Sequence, residues 1–181
     1  MVLSDESTTD STRAGANNQF TSRYAGGYRL YSNPTRTLGV RLVASGSSWA
    51  SISDSCKKEN FEAADKEDFL QKLANLKLGS WNYKTQDEKR DRHYGPMAQE
   101  IFAAYGKDRK GIIGCDTLLA TADMDGIMMI LLQGLEKRTR NQEMALDDLR
   151  QENAELRSQV ARINKLEAML KEMQAVAKSE R

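Results

Sequence analysis

Ser53 and Lys58 stand five residues apart in Ser53-Asp-Ser-Cys-Lys-Lys58-Glu-Asn-Phe61, and the two residue types together can do nucleophilic chemistry. A serine hydroxyl is a weak nucleophile until a base takes its proton, and in a chain with one histidine a lysine is a serious candidate for that base. Lysine serves only as the free amine, so burial or a like charge must bring its pKa from ~10.4 towards ~7–8. Lys57, next door, is a source of like charge. The same stretch also reads as a polar loop leading into a helix, with Ser53 or Asp54 as the cap. Spacing alone does not choose between the two.

The other chemistry-bearing residues are sparser. His93, in Arg92-His-Tyr-Gly-Pro-Met-Ala-Gln-Glu100, lacks cysteine or acidic partners at ligand spacing, so a metal site is not expected there. It reads first as a packed, hydrogen-bonded side chain, with a base as the alternative. Gly114-Cys-Asp116 and Asp123-Met-Asp-Gly126 lack the ordered acidic positions and closing Glu of a calcium loop. Asp125-Gly126 reads as a turn and helix start. Cys56 and Cys115, far apart and unpaired by spacing, read as reduced, buried thiols. No cofactor is expected.

These residues need elements to position them. Residues 1–18 are polar and aperiodic and read as a flexible leader. Tyr28-Arg-Leu-Tyr-Ser and Gly39-Val-Arg-Leu-Val alternate between apolar and polar, with turn signals at Gly26-Gly27, Asn33-Pro34 and Ser45-Gly-Ser-Ser, and predict short strands over 19–52. So small a sheet is marginal in water and is expected to borrow surface from copies of itself. Phe69, Leu70, Leu73 and Leu76 recur at helical spacing behind the acidic run Asp65 to Asp68, with Gly79 as the stop. Trp81-Asn-Tyr83 reads as a strand, and Met97 to Tyr105 as a short helix opened by Pro96.

The last third carries a heptad seam: Leu132, Leu135, Thr139, Gln142, Leu146, Leu149, Asn153, Leu156, Val160 and Ile163, then Leu166, Leu170, Met173 and Ala177. The two successive three-residue steps around Ile163 form a stammer, which predicts local overwinding. A helix from about Ile127 to Lys178 is expected, too long to stand alone. Asn153 at an a position fixes register and leans towards two strands, so the heptads leave two and three strands open.

Composition limits the remaining function classes. Twenty-seven basic against 26 acidic side chains leave a formal charge of +1, which gives no nucleic-acid-binding face. No run approaches the ~18 apolar residues of a membrane span, and no signal peptide is read, so synthesis in the cytoplasm and no membrane partner are expected.

The order of the blocks resembles the intramolecular chaperone domain of phage endosialidases, tail spikes and tail fibres, the S74 peptidase family. The residues that carry the resemblance are Ser53-Asp54, Lys58, Glu59-Asn60 and Phe61, then Trp81-Asn-Tyr83, Arg92 to Glu100, and Asp123 to Gly126 ahead of a long helix. It runs from about Ser53 to Leu149, and Gly26 to Tyr31 with Ser48-Trp49 look like what precedes such domains. Ser55 and Cys56 depart from it, standing where relatives often carry longer or basic side chains. It implies an α+β protein in four parts: leader 1–18, β-rich stalk segment 19–52, chaperone domain 53–126, and helix 127–181 in a trimeric coiled coil. It further implies a homotrimer that assists folding of the upstream β-stalk of the same chain and then cuts itself between Ile52 and Ser53, within a phage-like virion tail. Ser53 would be the nucleophile and Lys58 the base, with Asp54 and Asn60 holding or polarising the site and His93 in support. A non-cleaving trimerisation module and a coiled-coil adaptor are the alternatives.

Overall fold

The computed structural model describes residues 1–179, with side chains to residue 175. The chain divides into two units, Met1–Ala63 and the remainder from Ala64. In the first, β1 (Val2–Ser4) pairs in parallel with β2 (Thr21–Arg23), Val2 opposite Thr21. The stretch read as a structureless leader thus contains a strand. Three residues are too few to show alternation, and the partner lies nearly twenty positions away, so local pattern carried no trace of it.

β3 (Gly27–Tyr31), β4 (Gly39–Val43) and β5 (Ala50–Ser51) form an antiparallel sheet in that order. Asn33 closes the β3–β4 loop: its Oδ1 accepts from the backbone N–H of Thr37 and Leu38 at 3.0 and 3.1 Å. The pleat places Tyr28 opposite Leu42 and Leu30 opposite Val40 on one face, and Arg29 opposite Arg41 on the other. Yet no side chain of Met1–Ala63 is buried, and Phe20, Leu30 and Trp49 remain more than half exposed. One copy of this unit has a patterned apolar face and no core beneath it.

In the second unit, α1 (Lys66–Ala74) starts at Asp65, whose carboxylate accepts from the backbone N–H groups of Glu67 and Asp68 as an N-cap. It stops at Asn75, short of Gly79. β6 (Gly79–Trp81) pairs antiparallel with β7 (His93–Gly95), so the expected Trp81-to-Tyr83 strand lies two residues earlier. α2 (Ala98–Tyr105) follows Pro96, and α3 runs Thr121–Ser179, about 88 Å at 1.5 Å per residue. α3 begins six residues before Ile127, because Gly126 is a helix-interior residue, not a turn. Its cost of ~1 kcal/mol is small beside the good helix formers around it.

Among the described residues, Leu70, Tyr105 and Leu131 are the buried apolar side chains. Phe69 packs against Tyr105 at 4.8 Å between ring centroids, and the Tyr105 hydroxyl donates to the Phe69 carbonyl at 3.0 Å. α1 lies so close on α3 that a β-carbon at Gly134 would stand 2.9 Å from Leu70 Cδ1 and 3.2 Å from the Lys66 carbonyl oxygen. Arg138, one turn further, grips the Glu67 carboxylate with two N–H groups. Gly134 and Arg138 therefore form a docking face for α1 that is separate from the heptad seam. The seam itself is open in one chain, with Leu132 64%, Leu156 50% and Leu166 62% exposed. Ala177, its last position, lies beyond the described side chains. Small sheets, a mixed α/β unit and a long C-terminal helix thus agree with the α+β expectation. Among the described residues no helix is long and apolar enough to cross a membrane.

Candidate active site

The chain leaves β5 at Ile52, whose N–H donates to the Gly39 carbonyl at 3.1 Å and makes the last rung between β4 and β5. Ser53 and Asp54 follow, then a 3-10 turn, Ser55–Lys57. The turn forms because Asp54, in extended conformation, accepts from the Cys56 N–H at 3.0 Å as an N-cap. Bonds from Lys57 N–H to the Asp54 carbonyl and from Lys58 N–H to the Ser55 carbonyl complete it. The reversal brings the Lys58 amine back over Ser53, with Nζ 2.6 Å from Oγ. The turn and its cap bring the two groups together, which five residues of extended chain would hold far apart.

Both members of the pair are exposed in one chain. Lys57, the expected like charge beside Lys58, lies 3.9 Å from the Asp54 carboxylate, with both side chains exposed. A surface pair of this kind is weak, but its carboxylate partly offsets the lysine's charge. Asp54 thus shapes the turn. Asn60 adopts φ 55°, a left-handed conformation that asparagine tolerates better than most residues. Among the described residues it has no hydrogen bond to Ser53 or Lys58.

His93 belongs to the second unit. Its ring packs against Trp81 at 4.8 Å and Tyr83 at 5.7 Å, and its Nε2 lies 3.1 Å from Gln86 Oε1. Arg92 beside it ties β7 to β6 by donating to the Ser80 carbonyl at 2.9 Å and to Asn82 Oδ1 at 3.0 Å. Both cysteines are free, but Cys56 is exposed and Cys115 half-buried, so neither is the buried thiol expected. Cys56 projects from the turn, where a short polar loop has no core to hide it in.

Gly39 is the residue at this site that sequence reading passed over. A glycine opening an alternating strand marks a close approach of another backbone, and that signal was present in Gly39-Val-Arg-Leu-Val.

The Ser53 hydroxyl accepts from the Lys58 amine within the first unit, directly after the Ile52–Ser53 peptide bond, and a hydroxyl beside an amine is the kind of arrangement in which an amine can serve as base to a nucleophile. A likeness to a known family is confined to one stretch of the chain. Residues 53–108 match the family model described as the chaperone of endosialidase, Peptidase_S74. The match opens on Ser53 and closes just past α2. Residues 53–108 are thus similar to the chaperone of endosialidase, in line with the resemblance and over a shorter stretch than Ser53 to Leu149. A search of curated proteins found no match.

Proposed function

We propose that this chain is an intramolecular chaperone of a tail fibre or spike that trimerises through α3, holds the preceding β-segment while it folds, and releases itself by cutting the Ile52–Ser53 bond. The observation that carries the reading is the 2.6 Å contact between Lys58 Nζ and Ser53 Oγ at the first residues of the family match. In the reaction, Lys58 as free amine takes the Ser53 hydroxyl proton while Oγ adds to the Ile52 carbonyl carbon. Collapse breaks the Ile52–Ser53 C–N bond, and the Lys58 ammonium gives the proton to the departing Ser53 nitrogen. The Ile52 acyl group is then an ester on Ser53 Oγ. Water hydrolyses the ester, leaving an Ile52 carboxylate and restoring the hydroxyl.

Three features support assembly as part of this function. The β-unit has a patterned apolar face and no buried side chain, the α3 seam is open, and Lys58 lacks the burial a lysine base needs. Neighbouring copies would supply all three. Once the β-segments have wound together, loss of the helical part leaves them kinetically trapped. His93 packs with Trp81 and Tyr83 inside the second unit, which favours a structural role for it.

Incubating the folded chain and following it on a denaturing gel tests the proposal, alongside Ser53→Ala, Lys58→Ala and the native mass. The expected result is a trimer that converts slowly to fragments of 52 and 129 residues, with both variants remaining intact trimers. A stable native dimer or monomer, or cleavage that persists in Ser53→Ala, would reject the reading.

A further inference from the structure

We infer that Gly39 is a positioning residue for the cut, and that docking of β5 on β4 is a checkpoint that cleavage must pass. The inference rests on the cleavage reading above and concerns what controls it.

The candidate scissile carbonyl belongs to Ile52, and the N–H of that same residue makes the last β4–β5 rung, to Gly39. Only the two backbone torsions of Ile52 separate the anchored rung from the bond to be cut. With the rung in place, the carbonyl leaves the sheet in a set direction, and the Asp54-capped turn returns Lys58 to Ser53 just beyond it. With β5 undocked, the carbonyl samples many directions relative to Oγ. Attack is sensitive to such misplacement, since a displacement of about 1 Å can cost ~100-fold in rate.

β5 is only two residues long, with Val40 opposite Ser51 and Arg41 opposite Ala50. Such a strand has few rungs of its own, so its docking depends on the sheet it joins. Gly39 links the two sides. Its carbonyl receives Ile52, while on the other side it pairs with Tyr31 of β3, so closely that a β-carbon there would run into the Leu30 carbonyl oxygen. One residue is thus seated only when β3 is in register, and only then offers its carbonyl correctly to Ile52. The sheet reports its completion to the bond that ends its attachment to the helical domain.

The test uses the full chain with Gly39→Val, whose side chain must displace β3 or β4. A second variant adds a removable clamp: Val40→Cys with Ser51→Cys, a non-hydrogen-bonded cross-strand pair close enough for a disulfide, with Cys56→Ser and Cys115→Ser in all chains compared. Gly39→Val is expected to slow cleavage about 10- to 100-fold, with native mass and the pH midpoint of the rate unchanged. The oxidised clamp is expected to restore the rate in Gly39→Val, and reduction to abolish that rescue. Parental-rate cleavage by Gly39→Val, a moved pH midpoint, or an oxidised clamp that rescues nothing would overturn the inference. A parent that never cuts would instead reject the cleavage reading itself.

Discussion

Replacing Gly134 and Gly126 in turn by alanine makes the same chemical change twice in one helix with two different surroundings. Both glycines lie inside α3, so each substitution should gain about 0.5–1 kcal/mol of helix propensity. At Gly126 the new methyl meets nothing within 4 Å, and the gain is kept. At Gly134 it stands 2.9 Å from Leu70 Cδ1 and 3.2 Å from the Lys66 carbonyl oxygen. Leu70 is buried and cannot swing clear, and the carbonyl is fixed in the first turn of α1. Overpacking of this kind costs roughly 1–3 kcal/mol. The propensity gain cancels in the comparison, so Gly134→Ala should be less stable than Gly126→Ala by about 1–3 kcal/mol. Urea unfolding followed by helical circular dichroism at fixed chain concentration reads the difference as a shift in midpoint at constant slope. Equal midpoints would refute the docking of α1 over Gly134.

Two further perturbations address the rest of the helical part. The Glu67 carboxylate lies below its ordinary value of 4.5, chiefly through the hydrogen bonds from Arg138 and then through that residue's charge. A depressed carboxylate stabilises the fold fully above its unfolded pKa and ceases to do so as pH falls through its folded value. Acid titration should therefore loosen α1 from α3 below about pH 4.5, and Glu67→Gln should remove that component; an unchanged acid profile in the variant would contradict it. Asn153→Leu, at the polar a position, should raise the melting temperature and broaden the range of native masses, because the apolar layer is stronger and selects register less well. A lowered melting temperature would show that Asn153 does not sit in a helix–helix seam.

The elements most legible in the sequence were those whose signal is local and repeated. The α3 seam recurs over several turns, Asp65 caps a helix with the usual chemistry, and the alternation in β3 and β4 gives their pleat directly. What escaped depends on distant partners. Val2–Ser4 finds Thr21–Arg23 across an intervening loop. Gly134 and Arg138 acquire their meaning only when α1 arrives, and they look like ordinary helix positions beside the stronger seam. Gly126 was misleading for a different reason, since a turn preference of ~1 kcal/mol is easily outweighed in a long helix. At the site, the types and spacing of Ser53 and Lys58 were visible, but the contact follows from the Asp54-capped turn. The hold of Gly39 on Ile52 required the sheet.

Intact-mass measurement of the folded chain over time, with N-terminal analysis of whatever fragments form, tests the central claim most directly. The account predicts two products, one ending in an Ile52 carboxylate and the other beginning with Ser53. It also predicts a pre-hydrolysis species of unchanged mass that hydroxylamine splits at the same bond. Folded oligomer that stays whole, or fragments that begin at any residue other than Ser53, would contradict it.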